Sequence, residues 1–410
     1  MLLRSRPASA EPEDGHTGPL PASIAALTSM RSSVRPISLA EREARVAKAW
    51  QLMTDYHIDA MMLAGGTSLN YFTGMRWGNS ERLLAAVIPV KGKAFCVCPS
   101  FEEDRAREQL NLGPFESADV LTWHEDESPY HLLAQGLQSR KIGSGTLAIE
   151  ERTPFVFSEG IARAAGVHIV SATPITAGCR MIKSAHEIEL MTIANHATLR
   201  VYKAVYEALH PGMTQTEAAA LIGAAYGRVG FRGEASVEVG QYTANPHGSA
   251  TPQVIRENTI VMIDDGCLVE GYNSDITRTF VLGKPTSKMN QVFEIVHRAQ
   301  AAALSAARPG VECQAVDAAA RKVITDAGYG PDYKYFAHRL GHGIGMDGHE
   351  WPYLVRGNAL KLAPNMTFSD EPGIYMRGEF GIRLEDDMHI TEIGAQLFTP
   401  QSPSLEHPFG

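Results

Sequence analysis

The sequence predicts an α/β amino-terminal domain over residues 37–180, followed by an α+β domain over residues 181–410. In the first part, short apolar runs typical of strands alternate with helical periodicity, which indicates α/β layers. In the second part, a helix, a Pro-Gly turn and another helix occur twice, at an offset of 98 residues. A chain of 410 residues is long enough for two such domains.

The elements of the first domain can be read in order along the chain. Apolar residues at helical spacing predict a helix from Leu39, which ends where Ile58 begins a strand-like run. Further strands are predicted at 83–90, 94–97, 147–149 and 168–170, and helices near 101–110, 130–139 and 154–165. Pro7 interrupts the beginning of the chain, and the apolar patch at 24–27 is too short to be the core of a signal peptide. Residues 1–36 are therefore expected to form a flexible extension.

The second domain begins with a long amphipathic helix. Ser184 and Glu187 form an S-x-x-E capping box at its start, and His210-Pro211-Gly212 is expected to end it. The repeat pairs Pro211-Gly212 with Pro309-Gly310, Ala220 with Ala318, and Gly230 with Gly328. These pairs predict two related halves, with chance similarity between Ala-rich helices as the alternative.

Charge and cysteine content exclude several classes of protein. The 37 Lys and Arg residues against 46 Asp and Glu residues give a net charge of −9, which is too acidic for binding nucleic acid or an anionic membrane. No run approaches the ~18 apolar residues of a membrane-spanning helix. The five cysteines are few and scattered, as is typical of a reducing compartment, so a cytoplasmic protein is expected.

Acidic residues lie on apolar, strand-like segments at two places in the second domain. Asp264 ends one apolar run and Asp275 begins the next, so the two are expected to face each other across a hairpin. A second hairpin carries Glu371 and then Arg383 and Glu385, of which the last two share one face by the two-residue period of a strand. Four converging carboxylates repel one another unless they are protonated or bind cations.

A pair of divalent cations would remove this repulsion. Together with His342, which lies between the hairpins, the carboxylates supply five ligands, which suits two ions about 3.5–4 Å apart. Oxygen-rich ligation with one imidazole favours Mn²⁺, with Co²⁺, Zn²⁺ or Fe²⁺ as alternatives. Such a pair holds a bridging hydroxide near neutral pH and polarises a carbonyl, which indicates hydrolysis. A helical H-E-x-x-H zinc site is disfavoured because no Glu follows His338.

Four stretches around these residues carry a specific resemblance. They read IDDGCLVEGYNSDITRTF, HRLGHGIGMDGHE, SDEPGIYM and IRLED. They resemble the metal-site motifs of the prolidase, aminopeptidase P and creatinase family, and FTGMRWGNSER at residues 72–82 resembles the amino-terminal domain of its proline-specific members. The resemblance implies that the second domain has the family's pita-bread fold with an internal pseudo-two-fold repeat.

The resemblance also implies which residues hold the metal ions. Asp264 would bind one ion, and Asp275 and Glu385 would bridge both. His342 and Glu371 would complete the ligands of the other ion. Glu371 would in addition act as the general base and then the general acid.

Other residues match the family's substrate-binding positions. His247 and His349 resemble the histidines that stabilise the tetrahedral intermediate. His338 resembles a histidine that lines the pocket on the proline side. Tyr375 and Arg383 match positions that orient the substrate.

Hydrolysis of Xaa-Pro bonds is the reaction that the resemblance implies. Prolidase cleaves Xaa-Pro dipeptides, whereas aminopeptidase P removes the first residue from longer peptides, and the two differ in whether the site captures a nearby carboxylate. Arg356 is the candidate for that capture because a guanidinium binds a carboxylate bidentately, with an exposed loop arginine as the alternative. Prolidase activity is therefore favoured.

Other family members remain as alternatives. Aminopeptidase P, or a non-peptidase acting on a small osmolyte as a lyase or amidohydrolase, would use the same metal ligands. A methionine aminopeptidase is disfavoured, because such enzymes usually lack a long α/β domain such as residues 37–180.

The resemblance also implies an oligomeric state. In the resembling family the α/β domain helps to form a homodimer and contributes residues, here around Trp77, to the neighbour's site. A homodimer acting on small peptides is expected.

Overall fold

The computed structural model describes residues 18–410, which form two compact units. The first unit is Pro36–Arg180, and the second joins residues 18–35 to Met181–Gly410. Residues 1–17, the first part of the expected flexible extension, lie outside the described residues. Within the described part of the chain, no helix is both long enough and apolar enough to cross a membrane.

Residues 18–35 differ from the flexible extension that the sequence predicts. They contain a short helix, α1 (Ala22–Ala25), in which Ile24 is fully buried. The Ser23 hydroxyl donates to the Ala204 carbonyl at 2.7 Å. The apolar patch is too short for a signal core, yet it buries its side chains against two helices of the second unit.

The first unit is a mixed sheet with helices connecting its strands. Its helices are α2 (Leu39–Asp55), α3 (Thr67–Thr73), α4 (Glu103–Leu110), α5 (Pro129–Ser139), α6 (Phe155–Ala164) and α7 (Thr173–Arg180). Its strands are β1 (Ala60–Ala64), β2 (Ala85–Pro89), β3 (Phe95–Pro99), β4 (Asp119–Trp123), β5 (Thr146–Ile149) and β6 (His168–Ser171). The strand order is β4-β3-β2-β1-β5-β6, in which β2 pairs antiparallel with both of its neighbours.

The predicted α/β class is confirmed, and three elements were missed. The central strands β1, β2 and β3 are buried along their whole length, which explains their continuous apolar runs. In the missed edge strand β4 only Trp123 is buried, so its pattern is weak. The other two missed elements, α3 and α7, are short helices that the sequence pattern does not separate from the neighbouring strands.

The second unit combines two pairs of long helices with several small sheets. Its helices are α8 (Ala185–Tyr206), α9 (Gln215–Val229), α10 (Ser287–Ala306) and α11 (Cys313–Asp326). The strands of its first half are β7 (Arg232–Gly233), β8 (Ser236–Val239), β9 (Ile260–Asp265), β10 (Cys267–Val269), β11 (Tyr272–Asn273) and β12 (Ile276–Val281). Those of its second half are β13 (Gly341–Gly343), β14 (Glu350–Leu354), β15 (Thr367–Asp370), β16 (Gly373–Met376), β17 (Phe380–Arg383), β18 (Asp386–Ile390) and β19 (Ala395–Leu397).

The sheets of this unit carry most of the candidate site residues. One sheet has the order β12-β9-β8 and another the order β14-β13-β15-β18-β19, while β16 and β17 form a hairpin. The predicted capping box at Ser184 and Glu187 is present at the start of α8. That helix ends at Tyr206, a few residues before the predicted His-Pro-Gly stop.

The internal repeat is visible in the backbone. The helix pair α8 and α9 corresponds to the pair α10 and α11, and each pair is joined through a Pro-Gly turn. Gly212 and Gly310 have φ values of +93° and +85°, which favour glycine. Their N–H groups donate to Ile255 (2.9 Å) and Leu362 (2.8 Å) respectively. Equivalent turns with equivalent partners confirm the two related halves.

Candidate metal centre

The acidic residues of the second unit gather around a cavity of about 490 Å³. Most residues that the sequence singled out line it, namely Asp264, Asp275, His342, Glu371, Glu385, His247, His338, His349 and Arg383. Arg339 and Asp265, to which the sequence assigned no role, line it as well. The cavity therefore unites residues from both halves of the repeat.

The strands β9 and β12 bring Asp264 and Asp275 together, but not as directly opposed residues. The antiparallel register pairs Asp264 with Thr277, and Asp275 lies just before β12. The hairpin of β10 and β11, which lies between the two strands in the chain, shifts the pairing. The Asp275 N–H donates to the buried Asp387 carboxylate at 3.0 Å. Ligand oxygens of Asp264, Asp275 and Glu385 nevertheless lie within 4.8 Å of one another.

The remaining candidate ligands come from the second half of the unit. His342 is the central residue of β13, Glu371 directly follows β15, and Glu385 lies between β17 and β18. His342 Nε2 is 3.4 Å from Glu371 Oε1 and 3.7 Å from Asp275 Oδ2. Ser369 connects two of these residues, since its Oγ accepts from the His342 backbone N–H (3.0 Å) and donates to Glu371 (3.2 Å).

Burial makes the charged forms of these carboxylates costly. It raises the pKa of Glu371 to about 7, and it raises the pKa values of Asp275 and Glu385 well above their usual range, with neighbouring carboxylates adding to the rise. Burial lowers the pKa of His342, so its imidazole is neutral and can offer a lone pair to a metal ion. Such a cluster is stabilised by positive charge placed among its oxygens.

The hydroxyl of Thr277 contacts two of the carboxylates, and these contacts indicate whether a cation fits the cluster. Thr277 Oγ lies 2.6 Å from an oxygen of Asp264 and 2.5 Å from an oxygen of Glu385, and it accepts from Arg383 Nε at 2.9 Å. A hydroxyl has one proton, so it donates to only one of the two carboxylates. The other carboxylate then faces an oxygen at short range. A proton on that carboxylate or a cation beside it would relieve the contact, and the residues therefore fit a metal pair.

Within residues 18–410, three groups of ligand atoms lie close enough together to hold a metal ion. They are Asp264 with Asp275 and Glu385, His342 with Glu371 and Glu385, and Asp275 with His342 and His349. Asp275, His342 and Glu385 each belong to two groups, and for the two carboxylates this is the arrangement that bridging needs. The ring of His349 stacks on that of His342 with 3.7 Å between centroids. His349 thus lies next to the candidate ligands.

A hydrogen-bonded network joins the cluster to the residues matched to substrate binding. Arg383 donates to Asp264 at 2.5 Å and to the Tyr375 hydroxyl at 3.1 Å. That hydroxyl lies 2.7 Å from His338 Nε2. Burial, followed by the charge of Arg383, lowers the pKa of His338 to about 3, which keeps its ring neutral. Tyr375 therefore lies behind the cavity wall and fixes the orientation of two residues that line it.

Three further aspartates form a buried layer that sequence reasoning missed. Asp386 pairs with Arg278 at 2.6 Å, and Asp387 accepts from the Asn195 amide at 3.0 Å. Among the described residues, neither oxygen of Asp370 has a hydrogen-bond partner, and burial raises its pKa well above the usual range. The consecutive acids in the run LEDDMHI are the sequence signal that could have indicated Asp386 and Asp387. These contacts support the backbone that carries Glu385 and Asp275.

Arg356, the expected carboxylate-binding residue, lies outside the cavity. Its side chain is 58% exposed and pairs with Asp332 at 2.8 Å. It follows the end of β14, where it lines a separate groove beside α11. The sequence places Arg356 between two site motifs, but the order of residues does not show which way the chain turns as it leaves a strand. Among the described residues, the arginines that line the cavity are Arg339 and Arg383.

The raised pKa of Glu371 predicts a pH-dependent response to metal ions. Its pKa rises from about 4.3 in an unfolded chain to about 7 in the fold, so the metal-free fold loses stability as pH rises through 7. Between pH 6 and pH 8 this one group removes about 1 kcal/mol. We expect Mn²⁺ to raise the melting temperature more at pH 8 than at pH 6, as measured by calorimetry against an EDTA-treated sample. An equal rise at both pH values would contradict this assignment.

Comparison with known proteins gives matches to both units. A model described as metallopeptidase family M24 matches residues 189–392, and one described as the creatinase/prolidase N-terminal domain matches residues 45–182. The probable dipeptidase PepE of Mycobacterium tuberculosis is 38% identical over 86% of this chain and 92% of that protein. The Xaa-Pro dipeptidase of Lactobacillus helveticus is 32% identical over 88% and 97%. The crystal structure of dipeptidase PepE from Mycobacterium ulcerans superimposes with a TM-score of 0.84 at 35% identity, over 91% of this chain and 99% of that one.

Proposed function

The chain belongs to metallopeptidase family M24, and we propose that it hydrolyses the bond before proline in Xaa-Pro dipeptides with the help of two divalent metal ions. Its fold is the predicted one, an α/β domain followed by an α+β pita-bread domain. The observation that carries the proposal is the convergence of Asp264, Asp275, His342, Glu371 and Glu385 on one cavity. Relatives named dipeptidase and Xaa-Pro dipeptidase support the choice of substrate.

The metal ligands suit hard, divalent cations. Asp264 would serve one ion, His342 and Glu371 the other, and Asp275 and Glu385 would bridge them. Four carboxylates with one imidazole favour Mn²⁺, with Co²⁺, Zn²⁺ and Fe²⁺ as alternatives. Such ions polarise the scissile carbonyl and lower the pKa of water when they are bound.

The chain's own residues supply the proton transfers and the substrate contacts. Glu371 would take a proton from the attacking water and return it to the proline nitrogen as the C–N bond breaks. The neutral ring of His338 offers an uncharged wall for the pyrrolidine ring. His247 and His349, which line the cavity, would donate hydrogen bonds to the carbonyl oxygen as it gains charge. An Xaa-Pro bond has no N–H, and none of these contacts needs one.

The proposal also covers the oligomeric state and the cellular location of the protein. The protein acts as a homodimer in which residues around Trp77 reach the entrance of the neighbour's site, and size exclusion with light scattering tests this. All five cysteines are buried, free thiols, which supports a cytoplasmic location.

A side-by-side substrate comparison tests the proposed reaction. We expect Mn²⁺-reconstituted protein to cleave an Xaa-Pro dipeptide at least about tenfold more efficiently than an Xaa-Pro-Xaa tripeptide, because the dipeptide's carboxylate adds charge-assisted contacts. Liberated proline is measured by chromatography. Cleavage of the tripeptide alone would indicate aminopeptidase P activity instead. Turnover of neither peptide would favour a non-peptidase member that acts on a small osmolyte.

A further inference from the structure

A buried ion pair on α11 contacts the segment that carries His338. Asp317 and Arg321 lie one turn apart on this helix, and their side chains are only 2% and 9% exposed. Arg321 Nε donates to Asp317 Oδ2 at 2.7 Å. Burying two charges is costly even when they are paired, unless their remaining polar atoms also form hydrogen bonds. The partners of those remaining atoms therefore indicate what the ion pair does.

Every nitrogen of the Arg321 guanidinium donates a hydrogen bond. Besides the bond to Asp317, Nη1 donates to the Phe336 carbonyl at 3.0 Å, and Nη2 donates to the His338 carbonyl. The guanidinium carbon also lies over the Phe336 ring, 4.3 Å from its centroid. Among the described residues, neither carbonyl accepts from a second donor. The backbone of residues 336–338 thus depends on this one side chain.

The second oxygen of Asp317 reaches the residue that precedes β13. Asp317 Oδ1 accepts from the Leu340 N–H at 3.0 Å, and the Leu354 carbonyl shares this donor at 3.2 Å. Because the Leu354 carbonyl keeps the N–H bonded, the strand that carries His342 does not depend on Asp317. The part of the chain that does depend on the ion pair is therefore residues 336–338.

The His338 ring has defined contacts on both of its nitrogens. Nε2 lies 2.7 Å from the Tyr375 hydroxyl, and Nδ1 lies 2.8 Å from the Arg339 carbonyl. The ring of Phe336 meets it edge to face, with 5.1 Å between centroids. Each contact requires the backbone of residues 336–338 to stay where the guanidinium holds it. A displacement of about 1 Å at a substrate-contacting wall can cost about 100-fold in rate.

We propose that Asp317 and Arg321 are positioning residues that hold the His338 ring against the proline ring of the substrate. The inference rests on the proposed function. Neither residue of the ion pair lines the catalytic cavity, so both act through His338 and not on the substrate itself. Without the pair, the proline side of the cavity loses its fixed shape and substrate binds more weakly, while the metal ligands stay in place.

Removal of the guanidinium tests this role. The metal-reconstituted full chain is assayed with an Xaa-Pro dipeptide as wild type, R321M and R321K, each also combined with H338A. R321M is expected to lower kcat/KM by about 10- to 100-fold, mainly through KM, but by no more than about threefold in the H338A background. R321K is expected to retain part of the activity, because an ammonium keeps the ion pair with Asp317 but lacks the planar fork that binds two carbonyls.

Lys322 provides a matched control on the same helix. It pairs with Asp326 at the same spacing, but the two side chains are 73% and 61% exposed. K322M is expected to leave kcat/KM within about twofold, because exposed ion pairs contribute little. Crystal structures of the variants give a readout that does not depend on turnover. The contact between His338 and the Tyr375 hydroxyl is expected to be lost in R321M and retained in K322M.

The outcomes separate this inference from the proposed function. A wild type that cleaves no Xaa-Pro peptide would overturn both. An active wild type in which R321M lowers kcat/KM equally with and without H338A would overturn the inference alone, and would indicate a general role in folding. A His338 ring that keeps its place in R321M, or an equal fall of kcat/KM in K322M, would also overturn it. If R321M does not fold, as judged by circular dichroism, R321K and D317N decide on the same comparisons.

Discussion

Replacing Glu371 by Gln is expected to lower kcat by about 10²–10⁴-fold while the fold is retained. Gln has nearly the same shape and still accepts the hydrogen bond from Ser369. It cannot take up a proton near neutral pH, and it is a weaker metal ligand than a carboxylate. Release of proline from an Xaa-Pro dipeptide gives the rate, and circular dichroism and the melting temperature report the fold.

Glu379 provides a matched control for this substitution. It lies in the turn between β16 and β17, a few residues from Glu371, and it pairs with Lys288 on the surface. Glu379→Gln is expected to leave kcat within about twofold, because exposed ion pairs contribute little. Wild-type rates in Glu371→Gln would remove Glu371 from the proposed proton transfers.

Replacing Asp275 by Asn is expected to lower kcat/KM by at least about 10²–10³-fold and to reduce the bound metal. Asp275 belongs to two of the candidate ligand groups, so its loss affects both ions. Burial and neighbouring carboxylates make its charge unfavourable in the metal-free protein. The metal-free Asn variant is therefore expected to melt no lower than metal-free wild type, although metal stabilises it less.

An unchanged melting temperature without metal, together with weaker stabilisation by metal, separates the loss of a metal ligand from damage to the fold. A variant that melts much lower than wild type even without metal would indicate that Asp275 acts mainly in folding. Asp326→Asn serves as the control, since Asp326 is 61% exposed and pairs with Lys322 on the surface of α11. It is expected to bind metal and to turn over substrate as wild type does.

The candidate metal ligands could be predicted from the sequence because they are charged residues on segments that are otherwise apolar and expected to be buried. Asp264 and Glu385 occupy apolar, strand-like segments, where an unpaired carboxylate is costly, so their presence already suggests a cation. The pairing of strands was less predictable. The excursion through β10 and β11 shifts the register, so that Thr277 rather than Asp275 opposes Asp264. A hairpin register depends on such excursions, and apolar periodicity does not reveal them.

Features that depend on the direction of the chain in space were not predictable. Arg356 and Arg339 both lie near site motifs, yet only Arg339 lines the cavity. The ordered segment at residues 18–35 is stabilised by helices far along the chain, as the contact between Ser23 and Ala204, which are 181 residues apart, illustrates. Its own composition is typical of an extension, and only the partner surface makes burial favourable.

The number of metal ions bound per chain tests the central claim most directly. Protein dialysed against chelator is titrated with Mn²⁺, freed of excess ion and analysed by elemental mass spectrometry, and crystals of the loaded protein are examined by anomalous scattering. The account predicts two ions per chain, both among Asp264, Asp275, His342, Glu371 and Glu385. Protein that gains no ion, or anomalous peaks away from these residues, would contradict it.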